Sequence, residues 1–125
     1  MRLTISDPVK AETFSLLFQP MKTFTDSINI TCKQDELSVQ CMDSAMILIA
    51  QLSLPKSWFT TYDVEQSEVI GVSTGLLSKV LSIKDKTQGL EWNTHERTAH
   101  IFVRYSSPSE NKLVFEKTFE VPLLD

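Results

Sequence analysis

Residues 37–44 read Leu37-Ser38-Val39-Gln40-Cys41-Met42-Asp43-Ser44, and the chain continues as Ala45-Met46-Ile47-Leu48-Ile49-Ala50-Gln51-Leu52. The first half of this stretch alternates apolar and polar residues, which is the pattern of a half-buried β-strand. A short Met-Asp-Ser connection and a second run rich in aliphatic residues follow. The stretch therefore predicts two neighbouring strands joined at a sharp corner, with sulfur and aliphatic side chains beside it.

Upstream of this hairpin the sequence predicts a helix with a defined start and end. Asp7 is typical of an N-cap residue and Pro8 of the first helical position. The residues at the i, i+3, i+4, i+7 spacing of one apolar helical face are Phe14, Leu17, Phe18 and Met21. Pro20 should end or kink this helix, because a proline ring clashes with the preceding turn. The opposite, outward face would carry Glu12, Ser15, Leu16 and Gln19.

A second helix is predicted after Ser73, which can cap it, with an apolar face of Leu76, Leu77, Val80 and Leu81. The remaining apolar runs predict strands at Arg2–Ser6, Ser27–Lys33, Leu37–Met42, Met46–Leu54, Trp58–Tyr62, Ser67–Val72, Gln88–Asn93, Thr98–Tyr105 and Lys112–Leu123. The order is β-α-β-β-β followed by β-β-α-β-β-β. Two helices packed on mostly antiparallel sheets make an α+β domain.

Length and composition restrict the class of protein. At 125 residues the chain predicts one domain. The sequence contains no run of about 18 apolar residues, which a transmembrane helix would need. The N-terminus also lacks the apolar core of a signal peptide, so we expect an intracellular protein. The two cysteines fit no zinc pattern and are expected to be buried, reduced thiols. The net charge of −4 argues against nucleic-acid binding unless the lysines gather on one face.

Four separated segments in this order resemble one protein family; they are Leu37–Asp43, Gln51-Leu52-Ser53-Leu54, Phe59-Thr60-Thr61-Tyr62 and Leu77-Ser78-Lys79-Val80-Leu81. The family is the proliferating cell nuclear antigen (PCNA) family of DNA sliding clamps. The resemblance covers residues 1–125 but only the first of the family's two clamp domains, so the second domain and the connecting loop are expected to be absent. The weakly charged first helix favours a divergent member, such as a viral one.

This resemblance implies a topological function without catalysis, cofactor, metal or membrane. A clamp encircles double-stranded DNA as a ring oligomer, is placed there by a clamp loader, and tethers DNA polymerase and other proteins that carry a clamp-binding motif. The expected location is a nuclear or cytoplasmic site of replication. The alternative is an interaction subunit of the same fold, such as a checkpoint-clamp or a monomeric processivity factor, that forms no homo-oligomeric ring around DNA.

The resemblance also implies a DNA-binding set of lysines on and beside the helices: Lys10, Lys22, Lys79, Lys84 and Lys86. Lys79 aligns with a lysine that faces the central hole in the family. So few lysines predict a thinly charged lining with weak, salt-sensitive DNA contact. The alternative is that these lysines only solubilise the helices or complement the helix dipole.

Two further sites follow from the resemblance. A partner-binding pocket at the Met-Asp-Ser corner would use Met42, Asp43, Met46, Ile47 and Ile49. A subunit interface along the last strand would use Leu113, Phe115, Lys117, Phe119 and Val121. The alternatives are ordinary core packing for the pocket residues and a protected sheet edge for the strand.

Overall fold

The computed structural model of the protein describes residues 1–42, 49–83, 88–94, 100–106 and 116–124. The strands are β1 Arg2–Ile5, β2 Ser27–Cys32, β3 Glu36–Met42, β4 Ile49–Pro55, β5 Thr61–Asp63, β6 Glu68–Ser73, β7 Gly89–Thr94, β8 His100–Ser106 and β9 Glu116–Leu124. The helices are α1 Pro8–Phe18 and α2 Thr74–Leu81, with 3₁₀ helices at Gln19–Thr23 and Lys56–Trp58. The predicted order of helices and strands is confirmed.

The strands form a nine-stranded sheet in the order β4-β3-β2-β6-β9-β8-β7-β1-β5. Neighbouring strands are antiparallel throughout. β6 and β9 pair over only two residues each, Gly71–Val72 against Leu123–Leu124, so two well-paired halves meet at a narrow junction. With two helices packed on an antiparallel sheet, the predicted α+β class is confirmed.

Local signals set both ends of α1. The Asp7 carboxylate accepts a hydrogen bond from the N–H of Val9 at 3.0 Å, which caps the first turn, and Pro8 stands at the first helical position. The α-helix ends at Phe18, and Pro20 lies in the 3₁₀ helix that follows. The proline therefore ends the α-helix, as predicted.

The core is built on aromatic rings between α1 and the sheet. The ring of Phe14 lies 5.6 Å from that of Trp92 on β7, edge to face, and 5.0 Å from that of Phe18. Phe14, Phe18 and Trp92 are each at most 2% exposed. Burying side chains of this size supplies much of the hydrophobic free energy of such a domain, about 1.5–3 kcal/mol for a large apolar residue.

The predicted strand Trp58–Tyr62 begins three residues too early. Trp58 ends a 3₁₀ helix, and the strand begins only at Thr61. Successive side chains of a strand point to opposite faces, whereas the rings of Trp58 and Phe59 both lie 6.2 Å from that of Phe14. Packing of both aromatic residues on α1 therefore requires a bend at this point.

The predicted apolar face of α2 needs one correction. Leu77 and Leu81 are buried, but Leu76 is 45% exposed. The inner positions beside the two leucines are taken by Thr74 and Ser78, each 3% exposed. Among the described residues, no helix combines the length and apolar character needed to cross a membrane.

Candidate functional site

The two helices lie side by side, and polar side chains join them. Gln19, predicted on the outward face, instead donates from its amide nitrogen to the carbonyl oxygen of Ser78 at 3.2 Å and accepts from the Ser78 hydroxyl. Ser15, also predicted to face outward, is 6% exposed, and its hydroxyl donates to the carbonyl of Ala11 in its own helix. The outward face of α1 is therefore narrower than its polar residues suggest.

Lys79 lies at the centre of the outward face of α2. It is exposed and follows the buried Ser78, and it lies on the side of the helix away from Leu77 and Leu81, because successive residues turn by about 100°. Within the described residues, the Lys79 ammonium has no hydrogen-bond or ion-pair partner. The DNA-facing role that the resemblance implies for Lys79 stays a prediction.

The other predicted DNA-binding lysines have different surroundings. The Lys10 ammonium on α1 lies 3.4 Å from the carbonyl oxygen of Trp58 and 5.6 Å from the centre of its ring, so it is held against Trp58. Lys22 is exposed in the 3₁₀ helix after α1. Lys84 and Lys86 lie outside the described residues. Of the five, Lys79 and Lys22 are the described lysines whose ammonium groups are open to a ligand.

Aliphatic side chains occupy much of the exposed helix surface. Val9 and Leu16 on α1 are 71% and 61% exposed, and Leu76 on α2 and Ile83 just beyond it are 45% and 39% exposed. Glu12 adds a negative charge to the exposed side of α1. A surface with this composition attracts phosphates weakly, as expected for helices that carry few lysines.

The predicted partner pocket falls at the end of the β3–β4 pair where β3 ends and β4 begins. The backbone places Met42 directly opposite Ile49 in the antiparallel register. Asp43, Met46 and Ile47 lie outside the described residues. The strands therefore bring two of the five predicted residues together at one corner, as the resemblance implies, and the assignment of the pocket stays a prediction.

The predicted subunit interface falls on β9, which is not an edge strand along its whole length. Residues 116–122 pair with β8, and the end of the strand pairs with β6. The side of residues 116–122 that faces away from β8 has no strand beside it within the described chain. A neighbouring strand could pair there through its backbone.

The side chains of the predicted interface are only partly available for such pairing. Val121 is 1% exposed in the chain's own core, and the half-buried ring of Phe119 lies 6.2 Å from that of Tyr105. Lys117 pairs with Tyr105 through the backbone register, and Leu113 and Phe115 lie outside the described residues. An interface on β9 would thus depend on backbone hydrogen bonds more than on Phe119 and Val121.

A groove of about 740 Å³, which the sequence does not predict, lies between β1, β7 and the loop before β6. Its lining includes four carboxylates, Asp63, Glu65, Glu68 and Glu91. Two of these are paired: Glu68 lies 3.6 Å from the N-terminal ammonium, and Glu91 lies 2.7 Å from Arg2. No sequence signal marks the groove, because its residues come from distant segments.

Two buried groups outside the groove lining, the Cys32 thiol and the Tyr105 phenol, have strongly shifted pKa values. Burial, assisted by the charge of Glu68, raises the pKa of Cys32 to about 12. Burial also raises the pKa of Tyr105 above its ordinary value. Neither residue lines the groove, and burial in the core is the largest cause of both shifts.

Comparison with known proteins identifies relatives along the whole chain. The DNA polymerase sliding clamp 3 of Sulfurisphaera tokodaii is 28% identical over 122 residues, which are 98% of this chain and 46% of the relative. The proliferating cell nuclear antigen of Dictyostelium discoideum is 27% identical over 119 residues, which are 94% of this chain and 45% of the relative. The chain therefore spans about half the length of these relatives.

Solved structures agree with this result. A chain in the crystal structure of the PCNA2–PCNA3 complex from Sulfolobus tokodaii has a TM-score of 0.87 and 26% identity, over 100% of this chain and 47% of that one. The family described as "Proliferating cell nuclear antigen, N-terminal domain" matches residues 8–125. This protein belongs to the proliferating cell nuclear antigen family and matches its N-terminal domain.

Proposed function

We propose that this chain is a domain of a DNA sliding clamp, a processivity factor that helps to encircle duplex DNA and acts without catalysis. The observation that carries the proposal is the family match together with Lys79, which lies outward on α2 and has no hydrogen-bond or ion-pair partner among the described residues. Lysines that approach phosphates without base-specific contact allow a protein to slide on DNA. The weakly charged helices imply that topology, more than affinity, would keep the clamp on DNA.

The partners follow from the same proposal. The corner between Met42 and Ile49 would receive the clamp-binding motif of DNA polymerase and of other replication and repair proteins. A clamp loader would place the ring on DNA at an intracellular replication site. The open side of β9 and the outer edge of β4 would pair with neighbouring domains to close the ring. The crystallised relative is itself described as a complex of two PCNA chains, which supports such an assembly.

A pair of charge-reversal variants tests the DNA contact. Lys79→Glu should reduce retention of the protein on duplex DNA at low salt, because it replaces attraction of phosphates by repulsion. Lys56→Glu is the matched control, since Lys56 is exposed and its N–H donates to the carbonyl of Asp35, beside the β2–β3 turn. Equal loss in both variants, or no loss in either, would contradict the assignment of Lys79.

The native mass in solution tests ring formation. A six-chain assembly at micromolar concentration would support a ring built from single domains with β9 at each junction. A monomer that binds neither DNA nor a second chain would contradict the ring for this chain on its own.

The alternative is an interaction subunit of the same fold that forms no homo-oligomeric ring around DNA. The exposed aliphatic residues Val9 and Leu16 favour it, because they occupy helix surface where a DNA lining would profit from lysine. Retention on closed circular DNA that is lost when the circle is cut would identify a topological clamp. Equal retention on circular and linear DNA would favour the alternative.

A further inference from the structure

We propose that Gln19 is a positioning residue for Lys79: by holding Ser78 in two places, it fixes the last turn of α2 and thereby the direction in which Lys79 leaves the helix. The inference rests on the proposed function only for the role of Lys79. The link between the helices stands on the geometry alone.

The first observation is the double use of the Gln19 amide. Its nitrogen donates to the Ser78 carbonyl at 3.2 Å, and its oxygen accepts from the Ser78 hydroxyl at 2.5 Å. Gln19 is half-buried and Ser78 is 3% exposed, so water competes poorly for these bonds. Two hydrogen bonds from one planar amide restrain orientation as well as distance.

The second observation is the position of Ser78 in α2. Its carbonyl also accepts the N–H of Ser82 at 3.0 Å, which closes the last turn. The next two carbonyls are occupied as well: that of Lys79 accepts from the Ser82 hydroxyl, and that of Val80 accepts from Tyr105. Gln19 is therefore part of a set of side chains that holds the end of an eight-residue helix, too short to be stable alone.

The third observation is the origin of Gln19 itself. It follows Phe18, where α1 ends because of Pro20, and it begins the 3₁₀ helix Gln19–Thr23. The backbone therefore changes from α to 3₁₀ geometry at Gln19, the residue whose side chain reaches α2. Lys79 is the residue directly after Ser78, so a rotation of this turn would move its ammonium away from the outward face.

Hydrogen exchange of the full chain tests the link without DNA. Gln19→Met keeps the length of the side chain and removes its hydrogen bonds, and Gln66→Met is the control, because Gln66 is exposed in a loop. Relative to amides of the β2–β3 ladder, the Ser82 amide should exchange roughly 5-fold faster in Gln19→Met and unchanged in the control. Ser78→Ala, which loses only the hydroxyl, should give a smaller increase. Equal Ser82 exchange in Gln19→Met and Gln66→Met would overturn the inference.

Retention on DNA tests the consequence for Lys79. Gln19→Met should weaken retention at low salt in the parent chain and should have no further effect in a Lys79→Gln background, since both changes act through the same ammonium. An equal loss in both backgrounds would overturn the positioning role. Absence of DNA retention in the parent would instead overturn the proposed function, while hydrogen exchange would still decide whether the link exists.

Discussion

The hydroxyl of Tyr105 donates a hydrogen bond to the carbonyl oxygen of Val80, with 3.1 Å between the two oxygens. Tyr105 belongs to β8 and is 0% exposed, whereas Val80 belongs to the last turn of α2. The bond thus joins the middle of the sheet to the helix that carries Lys79. It also gives the Val80 carbonyl a second donor at the end of that helix, beside the N–H of Ile83 at 3.3 Å.

Tyr105→Phe should lower the free energy of unfolding by about 1 kcal/mol, because it removes the hydrogen bond and leaves the Val80 carbonyl without that donor. Urea unfolding measures the loss. Tyr62→Phe is an informative comparison, since the Tyr62 hydroxyl contacts the carbonyls of Lys33 and Glu36 at the β2–β3 turn. Only Tyr105→Phe should accelerate amide exchange in α2; equal acceleration in both variants would contradict the role of the bond.

Two glycine-to-alanine substitutions should have opposite effects on the stability of the protein. A Cβ atom at Gly89 would lie 2.9 Å from the carbonyl oxygen of Ile5 and 3.2 Å from that of Ser6, so backbone atoms would have to move. Gly89→Ala should therefore destabilise the protein by about 1–3 kcal/mol. At Gly75 the nearest atom would be 3.9 Å away, and Gly75→Ala should stabilise α2 by up to about 1 kcal/mol. Thermal unfolding of both variants checks the pair, and a loss of stability in Gly75→Ala would contradict the prediction.

Stability should fall at alkaline pH through Cys32. Burial raises the pKa of its thiol from 9.0 to about 12, so above pH 9 the unfolded chain loses a proton that the folded chain retains. The contribution of the protonated thiol to the free energy of unfolding is therefore complete below pH 9. It falls by about 1.4 kcal/mol per pH unit as the pH rises from 9 towards 12. Urea unfolding at several pH values should show a shallower decline for Cys32→Ala than for the parent. Parallel declines would show that the thiol stays protonated in both states or in neither.

Asp7→Ala should cost about 1 kcal/mol of stability, because the carboxylate accepts the Val9 N–H at the start of α1. Asp7→Asn should retain most of this contribution, since an amide oxygen can accept the same bond. Asp63→Ala is the control: it removes an exposed carboxylate from β5, which is a strand and not the start of a helix. It should have little effect on stability. Circular dichroism during urea unfolding compares the three variants, and equal losses for Asp7→Ala and Asp63→Ala would contradict the capping role.

The candidate site was predictable only where its residues belong to a local pattern or to the family resemblance. Lys79 lies on the outward face of α2, and the antiparallel register places Met42 of β3 opposite Ile49 of β4. The prediction that Gln19 lies on the outward face of α1 was wrong. Polar residues between two helices resemble surface residues in the sequence, and only the approach of α2 makes a buried hydrogen bond possible.

Local sequence patterns were sufficient to predict the order of the helices and strands, the cap at Asp7, the end of α1 before Pro20 and the β3–β4 pair. Each of these features depends on neighbours within a few residues. Tertiary structure decided which side of each helix faces outward, the bend at Trp58 and the position of β9 between β8 and β6. These features depend on contacts between segments that are distant in the chain. Such contacts form because the whole domain must bury its apolar side chains and pair its buried polar groups. No local pattern encodes them.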